Sequence, residues 1–406
     1  MTNPIRDRYD STPYHDFRFR EFDLARLMGL TRVLGLATPP TDQLRILDIG
    51  CASGLHIREQ SALYPSARFT GVDFSSKEIE AGQAAILESG LTGVELIHAD
   101  LSEFEIEEGA FDVILCHGIF SWVPDETKGR IFDLCRVGLK PQGLAAVAYL
   151  TYPGWKQREA LRELLAMRVS PIEDPREQVR ESARLLKLLE LAYSANPKLD
   201  HATGLLQIIQ DMQSSSANVF IHDELGLHHD PCYFLQFVEW AAEHDLRYLA
   251  ETDLGSMSSD LLPDEARPIL DELALDFLET QQLLDFVVNR SGRSTILTKS
   301  SVALGEALSD QAFTGVKLTV PLSGPAPALG TAEEPIRFAS IHGHEVEIDG
   351  TDAKQILSCL FDSAPRAMSV EEIEAEVSGF SGRSDAILPV VRDLVRRGVL
   401  DSVLPL

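Results

Sequence analysis

Over its first 150 residues the chain alternates short apolar runs with longer stretches in which apolar residues recur at helical spacing. A short apolar run bounded by turn residues is typical of a buried strand, and the longer amphipathic stretches favour helices. Strands that alternate with helices predict an α/β fold with a parallel, doubly wound sheet. The predicted strands are residues 44–49, 67–72, 94–99, 111–116 and 144–150, and the predicted helices between them include residues 76–89 and 127–139.

The pattern then changes, and residues 156–300 are predicted to be mostly helical. Leucines at three- and four-residue spacing in residues 183–191 and 205–209 form apolar stripes. These stripes indicate either a helical domain that packs on itself or a homodimer surface. The predicted helices are residues 157–167, 177–193, 201–214, 233–244 and 264–286.

Another change follows in residues 303–335, which are rich in Gly, Pro, Ser and Thr and are predicted to be a linker. Residues 336–406 contain one apolar–polar strand, three short helices, a helix stop at Gly398 and a small final strand. This order of elements predicts a winged-helix-like domain. The predicted strand is residues 345–348, and the predicted helices are residues 353–361, 370–377 and 385–397.

Composition narrows the class of protein. With 406 residues, 44% of them apolar, the chain is long enough for two or three domains with sizeable cores. Its formal net charge of −27 argues against a nucleic-acid-binding surface, and acids also outnumber bases in the winged-helix-like domain, which favours a docking role. The five cysteines are scattered, which predicts a reduced, cytoplasmic protein without a cysteine-based zinc site. The sequence shows no signal peptide or apolar stretch long enough to span a bilayer, so we expect no stable membrane insertion.

The strongest chemical signal lies in residues 44–73, where a predicted strand, a tight turn and a helix lead into a second strand. In the turn an acid is followed by small residues two positions apart; these are Asp48, Gly50, Ala52 and Gly54. A dinucleotide-binding turn has the spacing G-x-G-x-x-G instead, and an acid at position 48 would repel a pyrophosphate while suiting an ammonium group. Asp73, at the tip of the second strand, can accept hydrogen bonds from both hydroxyls of a ribose. The pattern therefore predicts a nucleoside site at the carboxyl ends of these strands.

This turn resembles the (D/E)-x-G-x-G-x-G motif of class I S-adenosylmethionine (SAM) methyltransferases, with Ala52 in place of the middle glycine. The resemblance implies a Rossmann-like sheet and SAM as the cofactor. It also implies that Asp100, after the third predicted strand, accepts from the adenine amino group; the alternative is a helix cap or a loop acid. The residues predicted to contact SAM are Tyr14, Asp48, Gly50, Cys51, Ala52, Gly54, Asp73, Phe74, Asp100, Leu101 and His117.

Two further stretches leave the carboxyl ends of predicted strands: HGIFSWVP at residues 117–124 and TYPGW at residues 151–155. Together with YDSTPY at residues 9–14 they resemble a bacterial branch of methyltransferases that carries a methyltransferase regulatory domain. That branch includes rickettsial-type protein-lysine methyltransferases, which act on outer-membrane proteins of intracellular bacteria. Residues 222–254 and 281–297 resemble the regulatory domain itself, so the resemblance covers most of the chain.

A lysine acceptor must lose its proton before it can attack a methyl group, because its ordinary pKa is about 10.4. An apolar, aromatic channel lowers that pKa by penalising the charged form. His117 or a tyrosine hydroxyl is expected to orient the amine, whereas the alternative for Trp122 and Trp155 is that they anchor strand ends in the core. The residues predicted to catalyse are His117, Trp122 and Tyr152, and those predicted to line the acceptor pocket are Phe120, Trp122, Tyr149, Tyr152 and Trp155.

The leading hypothesis is a SAM-dependent methyltransferase of protein lysine side chains. The alternatives are a methyltransferase of a small molecule, such as a natural product or a lipid headgroup, and a SAM-binding regulator without turnover. The expected partners are a lysine-bearing protein or a small-molecule acceptor and, through the helical region, a second copy of the chain. Neither His222, His228 and His229 nor His342 and His344 has the spacing of a metal site, so no metal is expected.

Five segments are predicted from these patterns. The N-terminal arm is expected to fold over the cofactor cleft as a lid that excludes water, with an amphipathic helix over residues 22–34; the alternative is an extra helix on the sheet edge. The segments are the arm (1–43), a SAM-binding methyltransferase domain (44–165), a helical regulatory or dimerisation domain (166–302), the linker (303–335) and the winged-helix-like domain (336–406).

Overall fold

A computed structural model of the protein describes residues 9, 11, 12, 14, 17–39, 43–196, 202–226, 228–321, 335–339, 345–377 and 384–404. The strands are β1 (Arg45–Ile49), β2 (Arg68–Asp73), β3 (Val94–His98), β4 (Phe111–Cys116), β5 (Leu139–Leu150), β6 (Leu246–Glu251), β7 (Gly292–Lys299), β8 (Lys317–Thr319), β9 (Ile336–Ala339), β10 (Glu345–Ile348) and β11 (Asp401–Val403). The first helices are α1 (Leu24–Val33), α2 (Leu55–Leu63), α3 (Ser76–Ser89), α4 (Asp125–Gly138), α5 (Trp155–Val169), α6 (Pro175–Ser194), α7 (Ala202–Ser214) and α8 (Ala217–Asp223). They are followed by α9 (Phe234–Glu243), α10 (Arg267–Leu273), α11 (Phe277–Val287), α12 (Thr351–Ser363), α13 (Val370–Glu376) and α14 (Ser384–Arg396).

Seven strands form the central sheet in the order β3-β2-β1-β4-β5-β7-β6. The five strands predicted from the sequence pair in parallel, and helices cover both faces, so the predicted doubly wound α/β fold is confirmed. The difference from the expected sheet is β7, which runs antiparallel to both of its neighbours. The order reverses between β1 and β4, and in such sheets a ligand binds beyond the carboxyl ends at that reversal.

Residues 156–300 are mostly helical, as predicted, but they also contain two strands that the periodicity did not predict. These strands, β6 and β7, belong to the same sheet as the turn predicted to bind a nucleoside, so the regulatory region and the predicted methyltransferase domain share two apolar clusters. The helix predicted over residues 264–286 is two helices, because Ala274 takes a left-handed conformation with φ of 49°. Asp276 then starts α11 with a capping box, in which its side chain and that of Glu279 satisfy each other's backbone N–H groups.

Helices α5 to α8 pack on one another around a separate apolar cluster. In the predicted stripe of residues 183–191, Leu186 is buried in this cluster, while Leu188 and Leu191 are 61% and 58% exposed. The region therefore packs on itself and still presents apolar side chains outwards; the homodimer stays a prediction. The side chains of the buried cluster are Leu161, Leu165, Leu186, Ile209, Met212 and Phe220.

The C-terminal strand β11 packs on α1, the helix within the arm. Gly29 of α1 lies so close to β11 that a Cβ there would come within 2.3 Å of the Ser402 carbonyl oxygen. Arg26 forms an ion pair with Asp401 at 3.0 Å, and both side chains are nearly buried. Part of the predicted linker also contributes to this docking, because β8, which lies within the linker, pairs antiparallel with β11. Residues 322–334 of that linker lie outside the described residues, and the winged-helix-like arrangement stays a prediction.

In the described part of the chain, no helix combines the length and the apolar character that crossing a membrane requires.

Candidate active site

A cavity of about 930 Å³ lies at the carboxyl ends of β1, β2, β4 and β5. The chain segments that meet there come from the arm, the central sheet, α8 and the loops beside β6 and β7. Of the residues predicted to contact SAM, all but Gly54 line it: Tyr14, Asp48, Gly50, Cys51, Ala52, Asp73, Phe74, Asp100, Leu101 and His117.

The loop between β1 and α2 forms the floor at one end of the cavity. Gly50 has φ of 72°, and a Cβ at this position would lie 2.2 Å from Cγ1 of Ile119. Ala52 also has a positive φ, 48°, which costs a residue with a Cβ about 1–2 kcal/mol and explains why a glycine is common at this position of the motif. Gly54, which precedes α2, also has φ of 72°, and a Cβ there would meet Leu96 at 2.8 Å.

Asp73 holds this loop in place from the tip of β2. Its Oδ2 accepts the backbone N–H of Ala52 at 2.9 Å, and its Oδ1 accepts that of Ser75 at 2.8 Å. Burial raises the pKa of the Asp73 carboxyl, although these hydrogen bonds oppose the shift. The carboxylate therefore shapes the loop in addition to facing the cavity, a role that the sequence does not reveal.

Asp48 is the second buried carboxyl at this end. Burial, with the neighbouring charge of Asp73, raises the pKa of the Asp48 carboxyl to about 8. Two acids held this close destabilise each other's ionised forms, so a cationic group in the cavity would lower both pKa values. This is the environment that an ammonium or a sulfonium group requires.

The acid predicted to face adenine lies at the tip of β3. Asp100 lines the cavity, and its Oδ1 also accepts from the N–H of Ser102 at 3.1 Å and from its hydroxyl at 2.8 Å. It is thus both a loop acid and a cavity acid, so the two interpretations are compatible. Phe74 lies beside it in the cavity wall, with its carbonyl bonded to His98 at 3.1 Å. Together with the glycine floor, carboxylates at three strand tips fit the amino acid and nucleoside ends of SAM.

The arm lies across this end of the cavity. The ring of Tyr9 packs against Phe74 at 5.3 Å and stacks on His222 of α8 at 4.2 Å. Phe19 stacks on His117, with 3.3 Å between ring centroids. Of these five rings, four line the cavity, those of Tyr9, Phe19, Phe74 and His117. The amphipathic helix predicted in the arm is observed as α1. The position of the arm thus agrees with that of a lid. Its function in excluding water stays a prediction.

The other end of the cavity carries the predicted acceptor residues Trp122, Tyr149 and Trp155. The two indoles meet edge to face at 6.5 Å, and the guanidinium groups of Arg162 and Arg158 lie over Trp122 and Trp155 at 5.5 and 5.3 Å. These contacts fix the rings while leaving them in the cavity wall, so packing and lining coexist in both tryptophans.

Two predicted acceptor residues lie elsewhere. Phe120 is fully buried and packs against Phe132 and Phe237 at 5.1 Å each, because the 3₁₀ turn Phe120–Trp122 directs its first ring into the core. Tyr152 is not among the lining residues; its hydroxyl donates to Glu159 at 3.0 Å and its ring packs on Tyr233 at 5.3 Å. Catalysis by Tyr152 therefore has no support from its position.

Among the lining residues that were assigned no role from the sequence are Asp223, Glu251 and Arg293. They belong to the region that resembles the regulatory domain, and Asp223 and Glu251 fall within residues 222–254, which that resemblance singled out as a block. Periodicity alone placed this region in a separate helical domain, which hid its contribution to the cavity.

The clustered histidines have other partners. A ring nitrogen of His222 lies 2.6 Å from the carbonyl oxygen of Thr12, and one of His228 lies 3.0 Å from that of Val123. His229 lies 3.4 Å from a carboxylate oxygen of Glu159. The other two candidates, His342 and His344, lie outside the described residues.

Two family models match separate stretches of the chain, and both stretches contribute residues to the cavity. Residues 46–143 match the model of a methyltransferase domain, and residues 216–299 match that of a predicted methyltransferase regulatory domain. The structure of PKMT2 from Rickettsia typhi, determined also in complex with AdoHcy, is similar with a TM-score of 0.79 and 26% identity over 96% of this chain and 77% of PKMT2.

Two curated sequences illustrate relatives that match a long and a short part of this chain. An uncharacterized protein of Rickettsia prowazekii is 29% identical over 309 residues, 74% of this chain and 54% of that protein, so the chain spans about half of that relative's length. A ubiquinone biosynthesis O-methyltransferase of Aromatoleum aromaticum is 35% identical over 106 residues, which are 26% of this chain and 42% of the relative. The second similarity is too short to span both matched regions, which together run from residue 46 to residue 299.

Proposed function

We propose that this chain, which belongs to the class I SAM-dependent methyltransferases with a methyltransferase regulatory domain, transfers methyl groups to lysine side chains of proteins. The predicted family, fold class and cofactor are confirmed by the two family matches and by the structural similarity to PKMT2 with AdoHcy. SAM supplies an electrophilic methyl group, and its transfer converts an amine N–H into N–CH3 with release of one proton and S-adenosylhomocysteine.

The charge of the cavity carries the proposal. Carboxylates outnumber guanidinium groups in its lining, and a cleft with an excess of one sign concentrates ligands of the opposite sign. A lysine side chain arrives as a cation, whereas a carboxylate acceptor would be repelled. The lining acids are Asp48, Asp73, Glu78, Asp100, Asp223, Glu251 and Asp253, and the lining guanidinium groups belong to Arg158, Arg290 and Arg293.

The aromatic wall supplies the second requirement. The rings of Trp122, Tyr149 and Trp155 offer little solvation to an ammonium group, so they lower the pKa of an amine that is held against them. The neutral amine is the nucleophile. The arm and the regulatory region would exclude water once both ligands are bound, and correct positioning accounts for about 7–11 kcal/mol of such a barrier.

The similarity to PKMT2 supports the same acceptor class, because it extends over 96% of this chain and so includes the acceptor end of the cavity. The similarity to the O-methyltransferase covers only 26% of the chain. It therefore supports a shared cofactor-binding domain without bearing on the acceptor. Methylation of a small molecule and binding of SAM without turnover remain as outcomes of the test.

The test incubates the purified full chain with SAM labelled in its methyl group and a bacterial lysate, and then separates proteins from small molecules. We expect label in the protein fraction, on lysine residues located by mass spectrometry. Label confined to small molecules would identify the other acceptor class, and SAM binding without labelling would indicate a regulator. The Asp73→Asn variant, run in parallel, should label less, which ties the signal to this cavity.

A further inference from the structure

A hydrogen-bonded chain lies at the acceptor end of the cavity and spans three strands. In the sheet, Tyr149 of β5 is opposite Arg293 of β7, and Thr295 of β7 is opposite Glu251 of β6. Residues two positions apart on a strand share a face, so all four side chains lie on the same face of the sheet. Three of them, Tyr149, Glu251 and Arg293, also line the cavity.

The direction of each hydrogen bond follows from chemistry. Nη1 of Arg293 donates to Oε1 of Glu251 at 2.5 Å, and the hydroxyl of Thr295 lies 3.0 and 3.2 Å from the two carboxylate oxygens. An ionised carboxylate only accepts, so Thr295 donates its single hydroxyl hydrogen to Glu251. The contact of 3.3 Å between the hydroxyls of Tyr149 and Thr295 then has only one possible donor, Tyr149.

We propose that the hydroxyl oxygen of Tyr149, with its hydrogen committed to Thr295, accepts an N–H group of the acceptor nitrogen and so positions that nitrogen for methylation. This inference rests on the proposed function and deepens it, because it names the feature of the acceptor that the site selects, an N–H group. An amine offers an N–H and keeps a lone pair for attack. A carboxylate has no hydrogen to donate, and it would face the lone pairs of Tyr149.

The chain is held rigid by buried partners. Asp285 accepts from Nε and Nη2 of Arg293 at 3.0 and 2.8 Å, and the guanidinium of Arg293 lies 4.0 Å above the ring of Phe234. The ring of Tyr149 stacks on Phe237 with 3.9 Å between centroids. The direction of the Tyr149 hydroxyl is therefore set before an acceptor arrives, as a positioning residue requires.

The experiment uses the full chain and a synthetic peptide that spans the lysine mapped in the labelling test. One peptide carries lysine and a second carries trimethyl-lysine, which has no N–H to donate. Calorimetry gives the ratio of the two dissociation constants, and steady-state kinetics with the lysine peptide gives kcat and KM. The variants are Tyr149→Phe, Thr295→Val and Thr295→Ser, with Thr298→Val as the control.

We expect Tyr149→Phe to lower the preference for the lysine peptide about tenfold and to lower kcat, with unchanged affinity for SAM. Thr295→Val should shift the same two quantities. Thr295→Ser should restore most of the loss, because it keeps the hydroxyl that accepts from Tyr149 and donates to Glu251. The control Thr298→Val also removes a buried hydroxyl from β7, but that hydroxyl donates to the carbonyl of Gly143 away from the cavity. It should cost stability without changing the binding ratio.

An unchanged binding ratio and kcat in Tyr149→Phe would overturn the proposal. A Thr295→Val variant that matches Thr298→Val in both quantities would overturn the part played by Thr295. If the wild-type chain labels no lysine at all, the proposed function fails first, and this outcome is distinct because it needs no variant. Melting temperatures of all variants identify any that do not fold, and Tyr149→Phe and Thr295→Val test the same chain from two strands.

Discussion

The hydroxyl of Tyr14 donates to the carboxylate of Asp223, 3.0 Å from Oδ2, across 209 positions of sequence. Tyr14 belongs to the arm, and Asp223 ends α8 of the regulatory region. Both residues line the cavity, so the bond joins the arm to the regulatory region at the cavity wall. The regulatory region thus contacts the predicted lid directly.

Replacing Tyr14 with Phe removes this bond and leaves the ring. We expect the affinity for SAM to fall about fivefold, because a single hydrogen bond contributes about 1 kcal/mol. Calorimetric titration with SAM measures the change. Asp223→Asn keeps an oxygen that can accept and should lose less, and removal of residues 1–20 should lose at least as much. Unchanged affinity after that removal would rule out a lid.

The Asp73→Asn variant tests the carboxylate at the tip of β2. We expect SAM to bind at least about tenfold more weakly, because a charged acceptor is lost from the cavity. The control is Asp112→Asn at the start of β4, another buried acid that accepts a backbone N–H, that of Arg45 at 2.8 Å, and pairs with Lys140. Both variants should be less stable to urea, but only Asp73→Asn should lose affinity for SAM. Equal affinities in the two variants would contradict the assignment.

The raised pKa of Asp48 predicts that the stability of the protein depends on pH. Its carboxyl pKa is about 8 in the folded protein and about 4 in an unfolded chain, so the unfolded chain releases the proton first as the pH rises. In the ligand-free protein the contribution of Asp48 to stability should therefore fall between about pH 4 and about pH 8. Relative to Asp48→Asn, the wild type should lose about 2 kcal/mol of unfolding free energy between pH 6 and pH 8. Urea denaturation at both pH values measures this difference, and parallel curves for the two proteins would refute the shifted pKa.

The binding of SAM should also change the protonation of the Asp48 carboxyl. A cationic ligand favours ionised Asp48, so SAM binding near pH 7 should release a proton and tighten as the pH rises. Calorimetry in two buffers of different ionisation enthalpy detects the release, and Asp48→Asn should abolish its larger part.

Trp122→Ala should lower turnover more than affinity for SAM. The ring lies at the acceptor end, so its loss misplaces the acceptor, and we expect kcat to fall about tenfold or more. Trp240→Ala is the matched control, since that ring, on α9, packs beside Lys128 of α4 and is not among the residues that line the cavity. Equal losses of turnover and of SAM affinity in Trp122→Ala would make Trp122 a packing or cofactor residue.

Gly29→Ala tests how tightly the C-terminal strands dock. The new Cβ would meet the backbone of Ser402, which cannot move aside, so we expect a loss of about 1–3 kcal/mol in unfolding free energy. Gly129 lies in the middle of α4, and a Cβ there meets only His244 at an ordinary 3.8 Å. Gly129→Ala should therefore stabilise the protein by about 0.5–1 kcal/mol. Thermal unfolding compares the two, and a stabilised Gly29→Ala variant would disprove the close docking.

Local features of the chain were sufficient to predict which residues of the first two strands and their turn meet at the cofactor end of the cavity. Asp48, Gly50 and Ala52 lie within one turn, and Asp73 ends the next strand, so spacing along the chain fixes their arrangement in space. The same holds for the alternation of strands and helices that predicts the doubly wound sheet. Short-range periodicity reports on backbone conformation, and in a parallel sheet the tips of successive strands converge.

Only the tertiary structure decided the acceptor end. Phe120 and Trp122 are two residues apart in one turn, yet packing buries the first and leaves the second in the cavity. Glu251, Thr295 and Tyr149 come together because β7 inserts antiparallel between β5 and β6, which no pattern within a single segment specifies. Periodicity along the chain records which face of an element is buried. The partner of that face is chosen by packing among segments that are distant in sequence, by 44 residues for Glu251 and Thr295 and by 146 for Tyr149 and Thr295.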